Sequence, residues 1–369
     1  MSLLKGTERL ADFDAAWETR SHGKKLRAIR LAAEKVHDRF AGGPRVVSVR
    51  TLALVTLPYP TRFAFNGLAF SPAPYVTLTH RCLFVQFLQN GALKNLLFNP
   101  TDIDAARATP YFSRIAEKFS ALEPVLSKKY DPLEVQLERV GIAREDIDYV
   151  AFDHFHTQDL RRLLGTNDSG KNGERARFPN ATLLAPKREW DDWDDLHPLQ
   201  EWFFVRDGKK NVVTKRVALT EHDLALGDGV MLLRTPGHTS GNQTLFLATD
   251  TGVWGISENG TCADNWSPLE SRIAGLAAAC RARDADVAIN SNTPEEAANQ
   301  YTSMILERTM ADRVKRAPAF VQMFSSSEVT PGFLAPGLSP TILHKAITTG
   351  EVAKVSAKKE VSLRAAASP

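Results

Sequence analysis

Two short apolar runs, Tyr149-Val150-Ala151-Phe152 and Val230-Met231-Leu232-Leu233, constrain this chain more than any other feature. Each is too short for a core helix and is bounded by polar residues, so each reads as a strand. Both runs end close to histidine. His154 and His156 follow the first as His-x-His, and His238 follows the second in the turn Thr235-Pro236-Gly237-His238-Thr239. Three neutral imidazoles can hold a Zn²⁺ or Fe²⁺ ion and leave a coordination position open for water. The competing reading is three satisfied structural histidines. The presence of both motifs in one chain favours the metal.

The rest of the chain arranges itself around these strands. Residues 8–41 repeat apolar residues at helical spacing, through Leu10, Phe13, Ala16 and Trp17 and then Leu26, Ile29, Ala33 and Val36, and Gly42-Gly43-Pro44 ends the segment. Strands are expected at 45–57, 63–68, 75–78 and 81–89, with Asn90-Gly91 turning a hairpin into 93–98. Helical spacing returns over 103–141, including Phe119 and Leu122, and strands follow at 149–152 and 181–184. A second β-rich half has strands at 212–219, 230–235, 243–248 and 252–256. It continues with a helix over 268–283, a strand at 287–289 and a helix over 294–316. The polar, turn-rich stretch 165–177 is a loop beside the histidines, either a surface linker or a lid. This order suits one α/β sandwich better than two domains. A helical N-terminal extension would occupy 1–44, the main domain 45–330, and a C-terminal extension 331–369, frayed from about Ser356.

Composition excludes several classes. The chain has 369 residues, 43% hydrophobic and 24% charged, enough for a sizeable core and unlike a disordered chain. A net charge of +3, without a basic stripe, gives no footprint for nucleic acid. No apolar h-region opens the sequence and no stretch is long enough to span a bilayer, so the expectation is a cytoplasmic protein without a membrane partner. Cys82, Cys262 and Cys280 are too widely spaced for a thiolate zinc site or a disulfide framework and read as buried thiols.

The chain resembles the metallo-β-lactamase superfamily over roughly residues 45–295. Three stretches carry the resemblance: Leu137 to Val150, leading to the metal motif; Asp153-His154-Phe155-His156-Thr157-Gln158-Asp159, in place of His-x-His-x-Asp-His; and Leu233-Arg234-Thr235-Pro236-Gly237-His238-Thr239-Ser240-Gly241-Asn242. Phe178-Pro179-Asn180-Ala181 matches the phrase between the two motifs. The resemblance implies a four-layer αββα sandwich with metal in the groove between its sheets. It also implies His154, His156 and His238 as the ligands of a first ion. The ligands of a second ion are replaced: Gln158 and Asp159 stand where the motif has Asp and His, Asn292 where a late His is expected, Ser257-Glu258 near the bridging Asp, and Asn99 for an earlier strand-end Asp. Neutral amides are weak ligands and bring no charge to offset a second dication.

The expectation is therefore a metal-dependent hydrolase of a small-molecule ester, lactone, thioester or amide, with a metal-bound hydroxide as nucleophile and one ion, Zn²⁺ before Fe²⁺. Two roles are open for Asp159, a ligand or general base and a helix N-cap, and two for Glu258, a general base and a loop acid. Asp264 is a reserve candidate. Trp190 and Trp193 either line a substrate wall or pack in the core. Two rival functions keep the fold: a mononuclear iron dioxygenase and a non-catalytic binding protein on a decayed scaffold. The N-terminal helical segment would serve as a homodimer contact or as a lid.

Overall fold

The computed structural model describes residues 4–118, 127–168, 173–290, 293–332 and 335–354. The expected helical positions Phe119 and Leu122, the centre of the 165–177 loop, Asn292 and the tail from Ser356 lie outside these residues. The fold is mixed α/β, and its contacts divide into two compact units. One gathers residues 1–46, 56–80 and 222–347; the other gathers 47–55, 81–221 and the chain from 348. Among the described residues no helix is long and apolar enough to cross a membrane.

The unit that holds His238 is built on a six-stranded sheet. Its order is Glu8–Leu10, Asp223–Gly227, Val230–Arg234, Gln243–Thr249, Gly252–Ile256 and Met323–Phe324. All neighbours are antiparallel except the last pair. Met231 pairs with Phe246, and with Leu233 and Val253 they form one apolar face. The helix His22–Ala41 brings Ile29, Ala33 and Val36 to that core at spacings of four and three, and Ala297–Met310 adds Met304, Ile305 and Met310. The expected helix over 8–41 is thus interrupted. Its first residues, Glu8–Leu10, pair with Asp223–Gly227, a strand the sequence pattern did not reveal. An edge strand supplied hydrogen-bond partners that three residues of helix could not.

Further departures have local causes. Residues 63–68 form a helix, Thr61–Ala64, and a turn instead of a strand, because Asn66 and Gly67 adopt φ of 49° and 66°. The helix expected over 268–283 breaks at Gly275, φ 84°, leaving a short 3-10 turn at Pro268–Glu270 and the helix Leu276–Ala282. Residues 287–289 have no strand pairing. The last expected helix ends at Met310, and Arg313–Val314 begins a small hairpin with Ala317–Val321.

The other sheet runs Thr348–Thr349, Ser48–Pro60, Tyr75–Gln89, Ala92–Phe98, Tyr149–Ala151, Thr182–Pro186 and Val217–Thr220. The two strands expected at 75–78 and 81–89 are one continuous strand, Tyr75–Gln89, and the C-terminal stretch contributes the edge strand Thr348–Thr349. Asn90 and Gly91 at φ 51° and 77° form the expected hairpin turn. From Ala92–Phe98 onward the pairing is parallel. The crossover between the first two of these strands contains Leu133–Arg139, whose Leu133 and Leu137 pack with Phe152 and Leu183. Parallel pairing aligns strand ends, so Asn99 and Asp153, just beyond Phe98 and Ala151, become neighbours. Ligand sites of parallel sheets form at these carboxyl ends.

Candidate metal centre

His154 and His156 stand just past the carboxyl end of Tyr149–Ala151, both buried, with ring centroids 4.7 Å apart and planes at 86°. Each ring is held at one nitrogen by an oxygen acceptor. Asp153 Oδ1 lies 2.7 Å from His154 Nδ1 and also accepts the His154 backbone N–H at 2.9 Å. Asp153 is oriented in turn by Asn99, whose Nδ2 donates to Oδ2 at 2.8 Å and whose Oδ1 accepts the Asp153 N–H at 3.1 Å. Gln200 Oε1 lies 2.7 Å from His156 Nε2, and the rings of Phe203 and Phe204 pack on the same imidazole at 5.1 Å. The buried Glu189 carboxylate accepts the Phe155 N–H at 2.8 Å, pinning the residue between the histidines. Thr157 closes the motif at φ 64°, a left-handed conformation unusual for a β-branched residue, with its N–H donating to the Phe203 carbonyl at 2.7 Å.

His238 is fixed within the other unit. Its N–H donates to Asn259 Oδ1 at 2.8 Å, and its Nδ1 lies 3.0 Å from Asn290 Nδ2 and 3.3 Å from Asn290 Oδ1. Asn290 is itself oriented: Gln300 Nε2 donates to its Oδ1 at 2.9 Å, and its Nδ2 donates to the Glu258 carbonyl at 2.6 Å. The turn carrying His238 is clamped by side chains. Thr293 donates to the Gly237 carbonyl, Ser303 to the Pro236 carbonyl, and Asn242 and Asn259 to the Thr235 carbonyl. Gly237 is required by space, because a Cβ there would stand 2.6 Å from Asn259 Oδ1 and from Gln300 Cα.

The remaining candidates fall in defined places. Asp159 is the N-cap of the helix Leu160–Leu164, and both its oxygens face Arg161: Oδ1 accepts the Arg161 N–H at 3.0 Å and Nε at 2.9 Å, and Oδ2 accepts Nη2 at 2.5 Å. Gln158 is buried and directs its Nε2 to Thr101 Oγ1 at 3.0 Å and the His156 carbonyl at 3.1 Å. Glu258 is buried, in the unit of His238. Asp264 is a structural clip: Ser271 Oγ donates to it at 2.6 Å and Thr341 N–H at 2.9 Å, and burial raises its pKa. Trp193 packs on Phe155 at 5.2 Å and Phe204 at 5.4 Å, in the core beneath the motif, with Trp190 beside that core. The three cysteines are buried free thiols whose pKa values burial pushes up.

Sequence reasoning assigned no role to Asp153, Gln200, Asn259, Asn290 or Glu307. Asp153 stood in the quoted motif and could have been read as the outer partner of a ligating histidine. Gln300, Ser303 and Glu307 stand at i, i+3 and i+7 on one face of their helix, and all three are fully buried.

No protein-family model and no curated protein matches this chain. Solved structures do. A dizinc quorum-quenching lactonase in complex with a product is 14% identical, with 83% of this chain and 94% of that one covered and a TM-score of 0.47. A probable metal-dependent hydrolase from Staphylococcus aureus is 15% identical, with 62% and 78% covered and a TM-score of 0.45. A hydrolase of the beta lactamase superfamily is 14% identical, with 65% and 84% covered and a TM-score of 0.38. Two are described as hydrolases and one as a lactonase, and it is to such proteins that this chain is similar.

Proposed function

We propose that this chain is a metal-dependent hydrolase, a divergent member of the metallo-β-lactamase superfamily, in which His154, His156 and His238 hold one divalent ion. The observation that carries the reading is the pair of acceptors on His154 and His156. Asp153 on Nδ1 and Gln200 on Nε2 place the N–H on those nitrogens, so the lone pairs lie on His154 Nε2 and His156 Nδ1. This is the outer-shell pattern of metal-ligating histidine. At His238 the nearer partner of Nδ1 is the Asn290 Nδ2 donor at 3.0 Å, with Oδ1 at 3.3 Å, so the pattern is carried by His154 and His156 alone. The donor set of three neutral imidazoles fits zinc first and Fe²⁺ second.

One ion is favoured over two. Gln158 brings a neutral amide that is committed to Thr101 and His156, and Asp159 is committed to Arg161 and the helix it caps. A divalent ion at the three histidines supplies Lewis-acid chemistry, polarising a carbonyl and acidifying water. The chain's own contribution is to hold the three rings and to accept a proton. We assign that second role to Glu258, the buried carboxylate whose main chain is tied to Asn290 beside His238. The substrate class is a small molecule with an ester, lactone, thioester or amide carbonyl.

Metal analysis by mass spectrometry on protein purified without a metal-affinity column tests this directly, combined with a panel of esters, lactones and thioesters. The expected result is about one zinc per chain and turnover that a chelator abolishes, zinc restores and His238→Ala eliminates. Full activity in metal-free protein would sink the proposal. Iron with thiol-dependent oxygen uptake would replace it with the dioxygenase reading.

A further inference from the structure

Glu307 is the one carboxylate of the helix Ala297–Met310 and is fully buried. Four donors converge on it: Asn259 Nδ2 at 2.7 Å, Thr244 Oγ1 at 2.8 Å and Ser257 Oγ at 2.8 Å on Oε1, and Trp266 Nε1 at 2.7 Å on Oε2. All four donors lie outside the turn 235–239. We propose that Glu307 is a positioning residue for His238, acting by setting the direction of every hydrogen bond between itself and that turn. The proposal rests on the metal-site reading above for its consequence, although not for its geometry.

The argument follows from what an ionised carboxylate can do, which is accept and never donate. Asn259 must therefore turn its NH₂ toward Glu307, which leaves Oδ1 on the opposite side to accept the His238 N–H at 2.8 Å. Ser257 must donate to Glu307, so its oxygen accepts the Asn259 N–H at 3.1 Å and holds that residue's main chain as well. Thr244 must donate to Glu307, so its oxygen accepts from Thr235 Oγ1 at 2.7 Å, at the start of the turn. Two chains thus leave one oxygen and reach the turn at Thr235 and at His238. A carboxamide in place of Glu307 would set an N–H₂ against one of these donors and, where that donor is Asn259, leave the Thr235 carbonyl at 3.2 Å as the remaining acceptor for its NH₂. A flipped Asn259 would turn its NH₂ toward the His238 N–H and take that acceptor away.

The test uses full-length Glu307→Gln and Asn259→Ala beside the unmodified chain, with two readouts. Hydrogen exchange of the His238 amide in metal-free protein reads the position of the turn. Zn²⁺ affinity, from competition with a chromophoric chelator, reads its consequence. Both variants are expected to exchange faster at His238 and to bind Zn²⁺ about 10–100-fold more weakly, as for other outer-shell partners of metal ligands. Asn259→Ala keeps three donors on Glu307 and serves if Glu307→Gln does not fold. Folded variants with unchanged exchange and unchanged affinity overturn the proposal. So does a lower melting temperature with unchanged affinity, or a loss in Glu307→Gln that Asn259→Ala does not share. An unmodified chain that binds no Zn²⁺, with variants that still exchange faster at His238, leaves the positioning role standing and removes the metal reading.

Discussion

At the scale of single residues, the histidines owe their orientation to neighbours that carry no metal-binding signature. Asp153 receives two hydrogen bonds from His154 and one from Asn99, all in a buried setting. Asp153→Asn would put an amide N–H₂ against at least one of those donors, and Zn²⁺ affinity is expected to fall about 10–100-fold in chelator competition. Glu307 has a second consequence, on stability. Burial pushes its pKa from 4.5 to about 6, against the four donors that lower it. A carboxyl whose pKa is raised in the fold contributes stability that is fully present below its unfolded value and is lost as pH rises through about 6. From pH 4.5 to above 6 the unmodified chain should therefore lose roughly 2 kcal/mol that Glu307→Gln does not lose, at about 1.36 kcal/mol per pH unit. Urea unfolding of both proteins across that range measures the difference, and parallel curves would contradict it.

At the scale of elements, the helix Ala297–Met310 and the Pro-Gly turn form one packed assembly. Gln300, Ser303 and Glu307 reach the turn or its clamp, and Met304, Ile305 and Met310 hold the helix in the core. The turn approaches the helix so closely that Gly237 has no room for a side chain. Gly237→Ala should cost about 1–3 kcal/mol in chemical denaturation, the usual range for forcing a methyl into a filled space. It should weaken Zn²⁺ binding as well, because relief of the contact moves Asn259 or the helix. The motif's element behaves differently. The strand Tyr149–Ala151 is short, and its position is set by parallel neighbours on both sides, so His154 and His156 inherit the register of the sheet.

At the scale of the whole molecule, the proposed ligands are far apart in sequence, and the ion would act on stability as a ligand of the folded state only. Free Zn²⁺ at about 100 times its dissociation constant adds about 2.7 kcal/mol by mass action. Chelation should lower the melting temperature, and re-addition of Zn²⁺ should restore it. His238→Ala, measured the same way, should show no response to either. A melting temperature indifferent to chelator in the unmodified chain would count against a resident ion.

The amino-acid sequence by itself determined the mixed α/β character, the strands that carry both histidine motifs, the Asn90-Gly91 hairpin and the three candidate ligands, because each rests on residues adjacent in the chain or at a short fixed spacing. It was less informative where a breaker or a distant partner intervened. Helical spacing from Leu10 onward hid the strand Glu8–Leu10, whose partner lies beyond residue 220, and Gly275 split a helix that its apolar residues alone would have continued. For Asp159 the sequence left two roles open, and the placement of Arg161 around its carboxylate could be read only in three dimensions. Apart from Asp153, which adjoins His154 in the chain, the outer partners were decided by tertiary structure. Gln200 meets His156 from 44 residues away, Asn259 meets His238 from 21, and Glu307 meets Asn259 from 48. A metal ligand is recognisable from its own chemistry and spacing, whereas the direction of its lone pair depends on which acceptor the fold brings to its other nitrogen.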